Sequence, residues 1–306
     1  MAASISRSSM PELRCGNAGA DGDRRTWDRG ATMTDRPSPG GSGDLTSAPG
    51  AREEPEVEDA FDRLVTEGQD RLTRPLLPLL TTAFVGGVDV GIGVLIYLVV
   101  KAETGNGLLA AAVFTIGFVA LLLARSELFT ENFLVPVTAV VARKGTVLQL
   151  LRLWVLSLAA NLLGGFVMAA MIIVALPGVR ATAVLTGTHY AHLGVSSESF
   201  FLAVLAGAVI TLLTRMQHAT NSVGVQLVPA VLLSFVLVGA QLFHSVLDSI
   251  FIFAGLLTGH AGYDYADWVG ALGWSAFGNL VGGLVLVTAV RLLRVPHRVR
   301  EERAQP

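Results

Sequence analysis

Asn161-Leu162-Leu163-Gly164-Gly165-Phe166-Val167 recurs as Asn279-Leu280-Val281-Gly282-Gly283-Leu284-Val285, 118 residues further on, with five of seven positions identical. Both copies lie in long apolar stretches. Carried to the polar interruptions of those stretches, the same offset sets Ser126 on His244 and Thr130 on Asp248. Each half of the chain therefore carries a polar break inside a hydrophobic segment. Paired broken helices in the two halves of a membrane protein point to a pore or substrate site near the middle of the bilayer. The pattern reads as a channel or transporter.

The bulk composition agrees. Hydrophobic residues make up 52% of the 306 and charged residues 15%, with a mean hydropathy of +0.59. A water-soluble domain of this size carries more charge. The net charge of −2 comes mostly from the tails and gives no sign of nucleic-acid binding. Cys15 is the only cysteine, so no intrachain disulfide forms. The 33 glycines suit close helix crossings in a bilayer. Residues 1–60 are rich in Gly, Ser, Pro, Arg and Asp and read as a disordered cytoplasmic tail, with no apolar core of a signal peptide and with Met33 as an alternative start. Residues 61–78 read as an amphipathic helix at the membrane surface, 79–295 as the transmembrane channel domain, and 296–306 as a second cytoplasmic tail.

Six apolar segments are placed at about 80–100, 108–141, 151–176, 200–213, 225–257 and 268–293. Basic residues cluster in alternate connections: Arg71 and Arg74, then Arg143, Lys144 and Arg152, then Arg215, then Arg291 to Arg303. The other connections hold Lys101 and Arg180, and the last carries Asp264 and Asp267. Because basic residues near span ends stay inside, both termini are expected in the cytoplasm. The expected fold is an all-α membrane protein: six transmembrane helices in an inverted repeat, the second and fifth broken.

Arg125-Ser126-Glu127-Leu128-Phe129-Thr130-Glu131-Asn132 is the first break. Three charges at that depth must face protein or water rather than lipid. Thr130 and Asn132 suit the start of a new half-helix, whose free N–H groups would face the pore. The alternative, that the span ends near Ala124 in an exterior loop, leaves Phe133 to Val141 too apolar and too short to stand alone. Gln241 to Asp248 is the partner break, and His244 is the one histidine deep in a long apolar segment, able to change charge near neutral pH. Asp89 reads either as a vestibule residue or as a buried carboxyl, protonated or paired with Arg125. Asn161, Gly164, Gly165, Asn279, Gly282 and Gly283 read as helix-packing residues, with hydrogen bonds from the asparagines to the broken segments as the alternative.

At Ser126-Glu127-Leu128-Phe129-Thr130, His244-Ser245 and Gly278-Asn279-Leu280-Val281-Gly282-Gly283 the chain resembles the formate/nitrite transporter family over about residues 70–295. The resemblance implies an aquaporin-like fold, a homopentamer with one pore per protomer in the inner membrane, and passage of formate, nitrite, hydrosulfide or short carboxylates. It implies no cofactor and no bound metal. By position, Leu128 and Phe129 would form an apolar constriction. Thr130 would hydrogen-bond the ring of His244, the central proton donor or polar gate, and Ser126 would lie beside them. The chain departs from the family pattern at Glu131, at Asp248 and at Phe243, where a small residue, an asparagine and a glutamate are common. Two further readings stand beside the anion pore. Glu127, Glu131 and Asp248 suit a permease for a neutral or cationic solute. Ser126 and His244 suit an intramembrane hydrolase of rhomboid type, though Ser126 lacks a glycine-rich nucleophile setting.

Overall fold

The computed structural model describes residues 55–304, which are mostly helical and contain no strand. The expected disordered tail, with Cys15 and Met33, lies outside the described residues except for positions 55–60. Those positions open helix α1, Pro55–Thr73. Pro75 then disfavours helix at Arg74, so α2 begins afresh at Leu76 and runs to Thr104, where Gly105 closes it at φ 68°. Asn106 caps α3, Gly107–Phe114, by accepting from the Leu109 N–H at 3.0 Å, and α4, Ile116–Ala124, continues the same apolar run. A 3₁₀ turn, Phe129–Phe133, and α5, Val135–Val141, complete the second apolar stretch. α6 spans Val147–Ala175, and α7, Arg180–Ala191, is a short helix packed against α10. The second half repeats the plan with α8, Ser197–Gln217; α9, Val223–Gly239; and α10, Ser245–Leu256. α11, Tyr265–Val281, passes through a π-helical segment, Gly282–Ala289, into α12, Val290–Arg294. α13, Pro296–Ala304, ends the described chain.

Five of the described helical runs are long and apolar enough to cross a membrane: 76–104, 107–124, 147–175, 197–217 and 265–294. The apolar stretch from 223 to 256 falls short only because it is divided into α9 and α10.

The glycines of the repeated phrase set the helix crossings. A Cβ on Gly164 would run into the carbonyl oxygen of Phe84 on α2, and one on Gly282 into that of Val204 on α8. Reciprocally, a Cβ on Gly87 would strike the carbonyl of Asn161, and one on Gly207 that of Asn279. The two halves thus share one backbone-to-backbone crossing, which only glycine permits. Across this crossing α2 and α8 correspond with an offset of 120 residues, against 118 for the repeated phrase.

The ends of the described chain depart from the sequence reading. α1 stops at Thr73, and residues 76–78 belong to α2. Its apolar side is covered by protein: Phe61 and Val65 pack with Ala142, Val295 and Val299, and Leu64 with Leu134 and Val135. Gly68 lets α1 approach the backbone of α5 at Val135. Each such apolar side chain, withdrawn from water, contributes about 2 kcal/mol. Residues 296–304, read as a tail, instead form α13, docked on α1 through Val299 and through Arg298, which donates to both carboxylate oxygens of Asp62 at 2.6 Å. Both ends of the described chain therefore lie on the same side of the bundle.

The crossing predicts a sharp contrast among glycines. Gly87→Ala and Gly207→Ala should each lower the melting temperature of the detergent-solubilised protein, because forced overpacking costs about 1–3 kcal/mol or more. Gly273→Ala, which has open space around it on α11, should be neutral or stabilising by up to about 1 kcal/mol. Wild-type melting of Gly207→Ala would refute the crossing.

Candidate functional site

Two helix ends of the same design bring the chain into the middle of the bundle. α4 closes with Arg125 in the left-handed region (φ 53°), and the Ser126 N–H returns to the Leu121 carbonyl at 3.1 Å. α9 closes with Gln241 at φ 51°, and the Leu242 N–H returns to the Leu237 carbonyl at 3.0 Å. This six-residue closure satisfies the last helical carbonyls and turns the chain sharply. The two closures are 116 residues apart. The sequence register of 118 therefore slips by two in the breaks. Ser126 corresponds to Leu242 and Leu128 to His244, rather than Ser126 to His244, and Asn132 rather than Thr130 corresponds to Asp248.

The non-helical backbone beyond each closure needs partners, because a bare N–H or carbonyl at membrane depth is costly. Asn161 supplies three. Its Nδ2 donates to the carbonyls of Ala83 (2.6 Å) and Glu127 (2.8 Å), and its Oδ1 accepts from the Phe129 N–H (2.8 Å). Asn279 does the same in the other half, donating to Ala203 (2.9 Å) and Phe243 (2.8 Å) and accepting from Ser245 (3.0 Å). The N–H groups of Glu127 and Phe243 reach the carbonyls of Thr82 and Leu202, both at 3.4 Å. Of the two readings of these asparagines, packing and hydrogen bonding, the geometry shows the second. The neighbouring glycines do the packing.

The halves meet where Thr130 Oγ1 lies 2.9 Å from His244 Nε2, with both side chains fully buried. His244 is also the N-cap of α10: its Nδ1 accepts the Leu247 N–H at 3.1 Å. An accepting Nδ1 carries no hydrogen, so the ring is the Nε2–H tautomer, with Nε2 as donor. Leu128 is fully buried and Phe129 nearly so, and Phe129 is held edge-on by Phe133, which in turn meets Trp154.

A cavity of about 720 Å³ opens on one side of this centre. Four arginines line it, Arg63, Arg71, Arg74 and Arg125, with His218 and three acids, Glu67, Glu127 and Glu131. Arg74 pairs with Glu127 at 2.5 Å, while Glu67 pairs with Arg71 at 2.5 Å and with His218 at 2.9 Å. Glu127 also accepts from Asn132 Nδ2 at 2.8 Å, and Arg71 donates to Asn132 Oδ1 at 3.0 Å. Burial pushes the Glu67 carboxyl up, but His218 and Arg71 outweigh it and hold the group at about 2. Burial likewise opposes the charge on Arg71, yet Glu67, Glu127 and Glu131 together hold its pKa above the usual value.

The remaining residues fall as follows. Ser126 lines the cavity and donates to Asp89 Oδ2 at 2.5 Å. Asp89 is therefore paired with Ser126 and not with Arg125, which is exposed. Glu131 reaches back to the Leu128 N–H at 3.4 Å, and Asp248 to the His244 N–H at 2.6 Å. Each carboxylate caps the first turn after its break, and Asp248 Oδ1 is buried without a partner. Sequence reasoning missed Glu67 and His218 and used Arg71 and Arg74 only as topology markers. The Glu67–Arg71 spacing of four on an amphipathic helix was the available signal.

Buried breaks, paired asparagine clamps and a charged vestibule leading to a dry polar centre define a helical membrane channel or transporter rather than an enzyme. The family model described as formate/nitrite transporter matches residues 58–293, and the chain belongs to that family. It is 27% identical over 229 residues to the Inner membrane protein YfdC of Escherichia coli (strain K12), covering 71% of this chain and 72% of that one. Among solved structures, one described as an FNT family ion channel superposes with a TM-score of 0.68 at 18% identity, covering 78% of this chain and 99% of its own. Another, described as a pentameric formate channel with formate bound, superposes at 0.59 and 19% identity, covering 72% and 97%. At these identities the superpositions speak for the fold.

The Glu67 pairing gives a pH signature. A carboxyl held at about 2 when folded, against an ordinary 4.5, adds stability that is complete above about pH 4.5 and is lost as pH falls toward 2. Limited proteolysis of α1 should accelerate across that interval in the wild type. Glu67→Gln should be cleaved faster at neutral pH and show a flatter acid response; equal cleavage of the two proteins at pH 7 would contradict the pairing.

Proposed function

We propose that this chain forms a pore for small monovalent anions or their weak acids, formate, nitrite, hydrosulfide or short carboxylates. It works as a homopentamer in the inner membrane, with both termini cytoplasmic and with α9 and α10 jointly completing six crossings. Family membership and the pentameric neighbour support the assembly and solute class. The alternation of basic connections, together with the docking of α1 on α13, supports the orientation.

The observation that carries the mechanism is the double commitment of the His244 ring. Nδ1 is occupied by the Leu247 N–H, which leaves Nε2–H as a neutral donor facing Thr130. Surrendering that hydrogen would leave an imidazolate, so the ring serves as a hydrogen-bond donor rather than as the acid. A small anion drawn into the arginine-lined vestibule meets a large desolvation barrier at Leu128 and Phe129. The donor at Nε2 and the Thr130 hydroxyl lower that barrier. The proton that accompanies the solute is taken from water in the vestibule and returned to water beyond the constriction, so solute and proton cross together as the weak acid, down the combined gradients.

Flux into proteoliposomes tests this with a panel of formate, nitrite, hydrosulfide and lactate at two pH values. His244→Asn keeps an N-cap acceptor and removes the imidazole donor. Flux should fall about 10- to 100-fold, the worth of one hydrogen bond to a charged group, with little change in melting. Unaltered flux across about pH 5 to 8 would remove His244 from the mechanism. Passage of methylammonium or urea, with none of the anions, would overturn the solute class.

A second reading rests on the unpartnered Asp248 Oδ1, a bare acceptor one turn from His244. It disfavours an anion and suits a protonated or neutral solute. Glu131→Gln with Asp248→Asn keeps both backbone caps and removes both charges. Formate or nitrite flux at neutral pH then rises severalfold; unchanged rates for every solute would leave the two acids as caps alone.

A further inference from the structure

We infer that the end of the bundle where α12 meets α13 holds a binding site for an anionic phospholipid. An apolar groove of about 420 Å³ lies there. Val141 at the end of α5, Ala289 and Leu292 on the last membrane helix, and Val299 on α13 form its floor, and Arg300 and Arg303 stand at its rim. The acids of α13 do not neutralise that rim. Glu301 is engaged by Arg298 at 2.7 Å, and Arg298 itself holds Asp62. Glu302 faces Lys144 at 3.9 Å. Arg303 is pinned across the groove, its Nε donating to the Val141 carbonyl at 2.8 Å. Arg300 is exposed and has no ion pair or hydrogen bond among the described residues.

The groove does not end at the rim. It continues onto the exposed apolar side chains of Leu293, Val290 and Leu286 along the membrane helix. An occupant must therefore carry a hydrocarbon portion that follows this stripe and a compact anionic head that meets two guanidiniums. A phosphodiester headgroup accepts from such forks bidentately. Basic residues placed just outside a membrane helix bind anionic lipid, and each strengthens that attachment measurably. A free phosphate satisfies the rim and leaves the groove empty; a zwitterionic lipid fills the groove and meets the rim poorly. The chemistry selects a lipid with net negative charge.

The test is native mass spectrometry of the delipidated full-length oligomer after addition of dioleoylphosphatidylglycerol or dioleoylphosphatidylcholine. The glycerol lipid should stay bound where the choline lipid is lost, and excess inorganic phosphate should not displace it. Arg300→Ala with Arg303→Ala should weaken retention about 30-fold, while Arg300→Lys with Arg303→Lys keeps most of it. Ala289→Phe fills the groove under an intact rim and should also abolish binding, so the site remains testable if the alanine pair fails to assemble. Equal retention of the two lipids would overturn the site, as would undiminished binding in the alanine pair or displacement by phosphate. Added mass of a further protein chain, lost on Ala289→Phe, would overturn it in favour of a second copy.

Discussion

Everything in this bundle depends on satisfying backbone polar groups where the helices are interrupted. An open chain in the middle of a bilayer has no water to turn to, and each bare group costs several kcal/mol. The protein answers with two side chains, Asn161 and Asn279, each spending both amide functions on main-chain partners. An asparagine suits this task because it carries donor and acceptor on one short, stiff arm. The glycines beside it bring the helix close enough for that arm to reach. Clamp and crossing are one device: without the crossing the amide falls short, and without the amide the breaks lose their partners.

Charge is distributed along the path by the same economy. The vestibule is rich in arginine, yet two of its four guanidiniums, those of Arg71 and Arg74, are paired with glutamates, so the wall is firm as well as polar. Nearer the centre ionic pairing gives way to single hydrogen bonds, Ser126 to Asp89 and Thr130 with His244. On the proposed reading, a solute passes from a charged chamber to a buried centre in which hydrogen bonds replace water. That order matches the steps a small anion needs, attraction first and desolvation after.

Much of this was legible in the residues. The doubled Asn-Leu-x-Gly-Gly phrase announced an internal repeat, and the polar runs at 125–132 and 241–248 marked the interruptions. The pairing of Thr130 with His244 was implied by the family resemblance and appears at 2.9 Å. The two-residue slip was not legible. One fixed offset cannot hold for three helices whose connections differ in length, and here it takes the values 120, 116 and 118 in turn. For Asp89 the residues left a vestibule role and a buried carboxyl, protonated or paired with Arg125, side by side; the Arg125 pairing fails because the left-handed turn at Arg125 carries that side chain out to the surface. α13 was invisible because its short, highly charged sequence has a single buried apolar residue, and its order comes from Asp62, over 200 positions away.

The slip has a consequence for ancestry. Under the observed correspondence the pseudo-twofold operation carries Leu128 onto His244, so one position of the duplicated unit is apolar in one copy and an imidazole in the other. The leucine codons CUU and CUC differ from the histidine codons CAU and CAC at a single base. A duplicated precursor with leucine at both positions would have been two dry gates in series. One nucleotide change in one copy is enough to set an imidazole opposite that leucine, the first of the eight differences that now separate 125–132 from 241–248 to concern the centre itself.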